Sequence, residues 1–83
     1  MKLVEVLWED AETSSGWIPP EAVEGYGKTS LLCIQVGLLL SKDKNSVVLS
    51  SGYNTLGHAQ GLMRIPTGMI RKIRVLGKVT EID

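Results

Sequence analysis

The sequence predicts an all-β fold, a small five-stranded barrel that forms a single domain over residues 1–83. Three observations predict it. Short runs rich in leucine and β-branched residues recur along the chain, a polar segment rich in glycine and proline follows the first run, and the tetrapeptide IPTG (residues 65–68) separates the last two. A chain this short buries only roughly 60–65% of the surface that its unfolded form exposes, so its folded state is only slightly stable. Closing the sheet into a barrel would remove free edges and add stability.

The first predicted strand is the segment KLVEVLWED (residues 2–10), in which apolar residues surround Glu5. Residues 10–27 then change character, because serines, two consecutive prolines and three glycines break the apolar pattern. We predict a long loop here, with one helical turn over residues 20–24, since proline suits the first position of a helix. Loops of this length are typically functional or disordered.

The second strand is predicted over residues 29–41, with Gly37 marking a bulge or a sharp bend. The polar turn KDKN (residues 42–45) leads to its hairpin partner at residues 46–51. A second loop, over residues 52–61, precedes the last two strands.

The fourth and fifth strands are predicted over residues 62–65 and 69–76, on either side of a single 3₁₀-like turn. Pro66 donates no hydrogen bond to a ladder and fixes its own φ, so the turn can redirect the chain. The last strand would then pair with the first, and residues 77–83 would form a tail or a short edge strand.

The charges balance over the whole chain but are sorted along it. Residues 1–27 carry one base and six acids, whereas residues 28–83 carry eight bases and three acids. This asymmetry is compatible with solvated strand faces, with head-to-tail self-assembly, or with an anionic ligand. The zero net charge disfavours binding to duplex nucleic acid, which depends on many phosphate contacts.

Cysteine usage and hydropathy predict a cytoplasmic protein. Cys33 is the single cysteine, which excludes an intrachain disulfide and predicts a buried, inert thiol in a reducing compartment. We expect no membrane contact, because the sequence shows neither a signal-peptide pattern nor an apolar stretch of about 20 residues.

No residue pattern points to catalysis or to a bound metal. His58 is the single histidine, and no cysteine or histidine cluster surrounds it. No serine stands in a nucleophile-elbow context, and the acids near residue 10 lie in a polar segment rather than in a pocket that would raise a pKa. We predict a non-enzymatic protein without catalytic residue, metal or cofactor.

Residues that could contact a small anionic ligand are spread over the predicted loops and strand ends. Tryptophan can stack on a nucleobase, and arginine can hold a phosphate with two hydrogen bonds. The alternative for the tryptophans is to anchor the long loop in the core, and the alternative for the histidine is a structural role. The candidate ligand-binding residues are Trp8, Asp10, Trp17, Tyr53, His58, Arg64 and Thr67.

Two families of small barrel resemble this order of elements. The segment GLMRIP (residues 61–66), followed by Ile70, resembles the closing turn of Src-homology-3-like (SH3-like) barrels. The sequence lacks the several tyrosines and the tandem tryptophan that line the peptide grooves of that family. Peptide recognition of that kind is therefore not expected.

The stretch from Gly37 to Leu76, with Asp43 and Asn45 in its first part, is similar to the two sequence blocks of Sm-like proteins. That resemblance implies a ring of subunits that binds RNA through two loops. The second of these loops would contain Arg64, Thr67 and Gly68, mapped onto the second block.

The whole chain also resembles a group of small bacteriophage proteins, through WED at residues 8–10, GW at residues 16–17 and IP at residues 65–66. This resemblance implies a protein that binds and neutralises host factors, including nucleotide signals of antiphage defence.

We therefore predict a non-enzymatic, phage-type binding protein that forms a homo-oligomer and takes a small anionic ligand such as a nucleotide, as an anti-defence sponge. Two alternatives stay open. One is a protein-interaction module that docks on a host protein and inhibits it, and the other is an Sm-like binder of single-stranded RNA.

Overall fold

The protein is mostly β and is built on a five-stranded antiparallel sheet, as the computed structural model shows for residues 1–80. The elements, in chain order, are β1 (Lys2–Asp10), α1 (Pro20–Gly27), β2 (Leu31–Lys42), β3 (Ser46–Ser50), β4 (Gly52–Tyr53), β5 (Ala59–Gln60), β6 (Met63–Pro66), a 3₁₀ turn (Thr67–Met69) and β7 (Ile70–Lys78). The strand order in the main sheet is β6-β3-β2-β1-β7, and β4 pairs with β5 in a separate hairpin.

The last strand pairs with the first, as the sequence predicts. Val6 on β1 lies between Gln35 on β2 and Ile73 on β7, so β1 has a partner strand on both sides. The edge strands β6 and β7 are consecutive in the chain and are joined only by the 3₁₀ turn. Within residues 1–80 no ladder joins β6 to β7, so the five-stranded sheet is confirmed and closure into a barrel stays a prediction.

The core is small and purely aliphatic. Val4 and Val6 alternate along β1, Val47 and Leu49 alternate along β3, and Ile65 comes from β6, each of them at most 1% exposed. The two-residue period puts each pair on one face of its strand, which is the face turned toward the core. Partly buried side chains extend this cluster: Trp8, Leu39, Met63, Met69, Ile70 and Ile73.

Gly37 has a different role from the predicted bulge. The ladder between β1 and β2 runs without a break past Gly37, which lies opposite Val4, and the irregularity in β2 falls between Leu39 and Ser41. A Cβ atom on Gly37 would lie 3.0 Å from the carbonyl oxygen of Ser50. Gly37 therefore accommodates the close approach of β3 and does not mark a change in the register between β1 and β2.

Two segments are more ordered than the sequence predicts. The expected single turn at residues 20–24 is an eight-residue helix, α1, with Pro20 at its start. The expected plain loop over residues 52–61 is wrong, because this segment forms the β4–β5 hairpin. Asn54 closes the hairpin, since its Oδ1 accepts hydrogen bonds from the backbone N–H groups of Leu56 and His58, each at 3.0 Å.

Strand β7 ends at Lys78, and Cys33 lies on β2. Gly77 and Lys78 extend β7, which places them in an edge strand, and part of the predicted tail, residues 81–83, lies outside the described residues. Cys33 is a free, half-buried thiol on β2, so the prediction of full burial is too strong.

The turn between β2 and β3 depends on one carboxylate. Asp43 Oδ1 accepts hydrogen bonds from the backbone N–H groups of Asn45 at 2.7 Å and Ser46 at 2.9 Å. Both hydrogen bonds lower the pKa of the Asp43 carboxyl below its ordinary value of 3.8, and the bond from Ser46 has the larger effect. The charged form of Asp43 therefore stabilises the folded turn.

We expect Asp43→Ala to lower the melting temperature at neutral pH. Because the folded pKa is lowered, the stabilisation is fully present above the unfolded pKa and is lost as the pH falls through the folded value. The difference between wild type and variant should thus be constant above about pH 5 and should shrink below it. Thermal unfolding at stepped pH measures this, with Asp43→Asn as control, since its uncharged oxygen still accepts hydrogen bonds. A wild-type advantage that persisted unchanged to the lowest pH would contradict the assignment.

Candidate functional site

Trp8 and Asp10 lie at the end of β1. Trp8 is opposite Cys33 on β2 and Ile70 on β7, and its ring is half-buried against the core. Its indole Nε1 is buried and has no hydrogen-bond partner. Asp10 Oδ1 accepts a hydrogen bond from the backbone N–H of Ala11 at 2.8 Å. These contacts make Trp8 an anchor of the sheet and Asp10 the residue that ends β1.

Tyr53 and His58 come together in the β4–β5 hairpin. With Asn54 and Gln60 they line a cavity of about 160 Å³. The hairpin follows β3, whereas the turn that contains Asp43 precedes β3, so the two lie at opposite ends of that strand. This small cavity therefore lies at the opposite end of β3 from the turn that contains Asp43.

Arg64 and Thr67 flank the end of β6. The backbone N–H of Thr67 donates to the carbonyl oxygen of Asn45 at 2.9 Å, and its hydroxyl lies 3.5 Å from the carbonyl oxygen of Asp43. The structure thus brings together the two loops to which the Sm-like resemblance assigns RNA contacts. Arg64 is exposed on β6, opposite Val48.

Trp17 stands apart from the other predicted residues. It lies between β1 and α1 and is wholly exposed. The seven predicted residues consequently fall in four places: the end of β1, the segment before α1, the β4–β5 hairpin, and β6 with the 3₁₀ turn. The structure does not gather all seven around one cavity.

A surface that sequence reasoning missed covers the side of β1, β2 and β7 that faces away from the core. We call it the outer face. Since directly paired residues share a face, Leu7 on β1 has Ile34 on one side and Lys72 on the other. Three of its apolar side chains on β2 are exposed by 45–66%: Leu32, Ile34 and Val36.

Charged side chains surround these apolar residues. Glu9 pairs with Arg71, and Glu5 pairs with Arg74 at 3.2 Å. Such exposed pairs contribute at most about 1 kcal/mol each, so they arrange charge more than they stabilise the fold. A cavity of about 330 Å³ opens in the same face and is lined by Glu5, Leu7, Ile34, Lys72 and Arg74.

The first half of β2 also has a free edge. Its ladder with β3 begins only at Leu38, opposite Ser50, so residues 31–37 pair with β1 alone within the described chain. This stretch, LLCIQVG, contains no charge and no proline. Proteins protect solvent-exposed edges with charges, prolines or a covering element, because an open apolar edge is a template for pairing with another chain.

Residues 11–30, which we call the arm, connect β1 to β2, and every one of them is exposed. The arm includes α1, and none of the eight residues of that helix is buried. Its exposed large apolar side chains are Trp17, Ile18, Val23 and Tyr26.

One signal in the sequence could have indicated the outer face. Strands with one solvated face alternate apolar and polar residues, whereas strands covered on both faces show nearly continuous apolar runs. Residues 31–40 form such a run, broken by a single glutamine and a single glycine. Within the described chain only one face of this part of β2 has a cover.

The remaining features carry no identifying signal. Among residues 1–80 no group of three or more histidine, cysteine, aspartate or glutamate side chains could hold a metal ion. The described part of the chain contains no helix of the length and hydropathy that a membrane span requires. No protein-family model matches the sequence, and no curated protein or solved structure is detectably similar to it.

Proposed function

We propose that the protein is a non-enzymatic protein-interaction module and that its partner docks on the outer face. The observation that carries this proposal is the distribution of large apolar side chains. Thirteen of them are exposed in the described chain, whereas five form the buried core, and three of the thirteen, Leu32, Ile34 and Val36, lie in a row on the outer face. Contiguous exposed apolar patches with a polar rim are typical of sites for protein partners.

The chemistry of the outer face specifies the kind of partner. Leu32, Ile34 and Val36 offer an aliphatic stripe that an apolar segment would cover. Lys72 lies beside the stripe, across β1 from Ile34, and makes no ion pair within residues 1–80. A partner segment that combines apolar and acidic side chains suits this arrangement.

A small anionic ligand is the second candidate, and the cavity of about 330 Å³ favours it. That volume is at the lower end of the range for small-molecule sites, and the cavity places Lys72 and Arg74 beside the apolar Leu7 and Ile34. Phosphate groups would meet two cations there, although Arg74 already holds Glu5. Native mass spectrometry of the full chain also tests this candidate, because a retained nucleotide would add a few hundred daltons.

Photo-crosslinking tests the docking proposal directly. We expect a photo-reactive side chain placed at position 34 to crosslink to protein in the producing cells, because Ile34 is 66% exposed at the centre of the outer face. The matched control is the same side chain at position 44, since Lys44 is exposed in the turn between β2 and β3. Equal yields at positions 34 and 44 would argue against docking on the outer face.

A further inference from the structure

We infer that the partner of the outer face is a second copy of this chain, and that the arm of one copy covers the outer face of the other. The inference rests on the proposed function, since it names the partner of the same surface. It joins two uncovered apolar surfaces of the molecule. Seven of the thirteen exposed large apolar side chains belong to the arm or to the outer face of β2.

The arm needs a cover for its helix to be stable. Isolated helices shorter than about 12–15 residues are marginal in water, and most helices in proteins depend on packing of an apolar face. The helix α1 has eight residues, none of them buried. Val23 and Tyr26 are three positions apart and therefore lie on one side of the helix, where a second copy would bury them.

The charges of the two surfaces are complementary. The arm carries Glu12, Glu21 and Glu24 against a single base, Lys28, which pairs with Glu24 at 2.9 Å. On the outer face Glu9 and Glu5 already pair with Arg71 and Arg74, so Lys72 is the base that these ion pairs leave over. An arm with an excess of acids, placed on an apolar face with an excess of one base, lowers the free energy of the pair.

The shape of the molecule favours a contact between copies over a contact within one. The radius of gyration is 16.9 Å, whereas a compact chain of this length has about 12 Å. The molecule measures 58 × 22 × 20 Å, so it is far longer than it is wide. Every residue of the arm is exposed as well, so the arm does not fold back on the outer face of its own sheet.

A two-fold pair would make this contact twice. Each copy would contribute one arm of twenty residues and one outer face. A standard interface has roughly 20–30 residues per side, so the arm alone reaches the lower end of that range. The two contacts would be related by symmetry, as in most homodimers.

Native mass spectrometry and sedimentation of the full chain test this inference. We expect a dimer, at twice the 9.0 kDa of one chain. Ile34→Asp on the face and Trp17→Asp on the arm should each raise the dissociation constant at least about tenfold. Leu56→Asp is the matched control, because Leu56 is 77% exposed but lies in the hairpin, and this variant should remain a dimer.

Mixing the two interface variants separates arm-on-face pairing from other dimers. A copy with Ile34→Asp keeps an intact arm, and a copy with Trp17→Asp keeps an intact face, so the mixture should form a heterodimer with one complete contact. Pairing between two faces, or between two β2 edges, would give no such recovery, and that result would overturn the inference. Circular dichroism of each variant controls for folding, and Ile34→Ser is the second face variant if the aspartate variant does not fold.

A monomeric wild type would also overturn the inference, and the crosslinking experiment then separates the two claims. A monomer whose position 34 crosslinks to a different protein leaves the proposed function standing. A monomer that crosslinks to nothing above the control overturns both. Crosslinks at position 34 between two copies of the chain, mapped to residues of the arm, support both.

Discussion

Leu49→Ala is expected to lower the free energy of unfolding by about 2–5 kcal/mol. Leu49 is 1% exposed and lies on β3, which pairs with β2 on one side and with β6, the strand of Ile65, on the other. Truncation would leave a cavity at the centre of a core that has only five fully buried aliphatic side chains, and few neighbours could move to fill it. The total stability of a domain of 83 residues is about 4–12 kcal/mol, so this one change could unfold a large fraction of the protein.

Urea unfolding followed by circular dichroism measures the effect. The control is Leu56→Ala, which removes the same atoms from a side chain that is 77% exposed and should change the unfolding free energy by less than about 0.5 kcal/mol. Similar midpoints for the two variants would mean that Leu49 is not at the centre of the core.

Gly61→Ala is expected to cost about 1–3 kcal/mol of stability, because Gly61 has φ +61°, a conformation that residues with a Cβ rarely adopt. The new methyl group would also clash with the Oγ of Ser51 and would lie 3.0 Å from the serine Cβ. The serine side chain would have to turn away and would lose its hydrogen bond to the carbonyl oxygen of Gln60. The substitution therefore strains the exit of the hairpin into β6.

Thermal unfolding checks this prediction against Gly68→Ala. Gly68 has no positive φ, and a Cβ atom placed on it would meet nothing within 4 Å. We expect the alanine at position 68 to leave the melting temperature nearly unchanged while the alanine at position 61 lowers it. The opposite order would show that the turn at Gly61 can adopt another conformation at little cost.

Local signals were sufficient for much of the sheet. The apolar residues around Glu5 predict β1 with its observed bounds, and Pro66 predicts the 3₁₀ turn before the last strand. Both depend on the chemistry of a few neighbouring residues, such as the missing N–H of proline. The pairing of the first strand with the last followed from the number of strands and the redirecting turn.

Contacts that leave no periodic apolar pattern in the sequence were not predicted. The β4–β5 hairpin is closed by the side chain of Asn54, and its two-residue strands are too short to show a period. The candidate site shows the same limit, because the side-chain chemistry of tryptophan and histidine indicates what they could bind but not where the fold places them. Trp8 is part of the sheet, whereas Trp17, nine residues later, lies in the exposed arm.

The sequence by itself determined that this chain forms a β-sheet with a redirecting turn before its last strand, because those features depend on local pattern and on proline. Only the tertiary structure decided which side of each strand is covered, since burial depends on strands that are distant in sequence. The apolar run of β2 predicts cover on both faces, yet the core strands β3 and β6 supply it on one. The outer face, with Ile34 at its centre, is exposed for that reason.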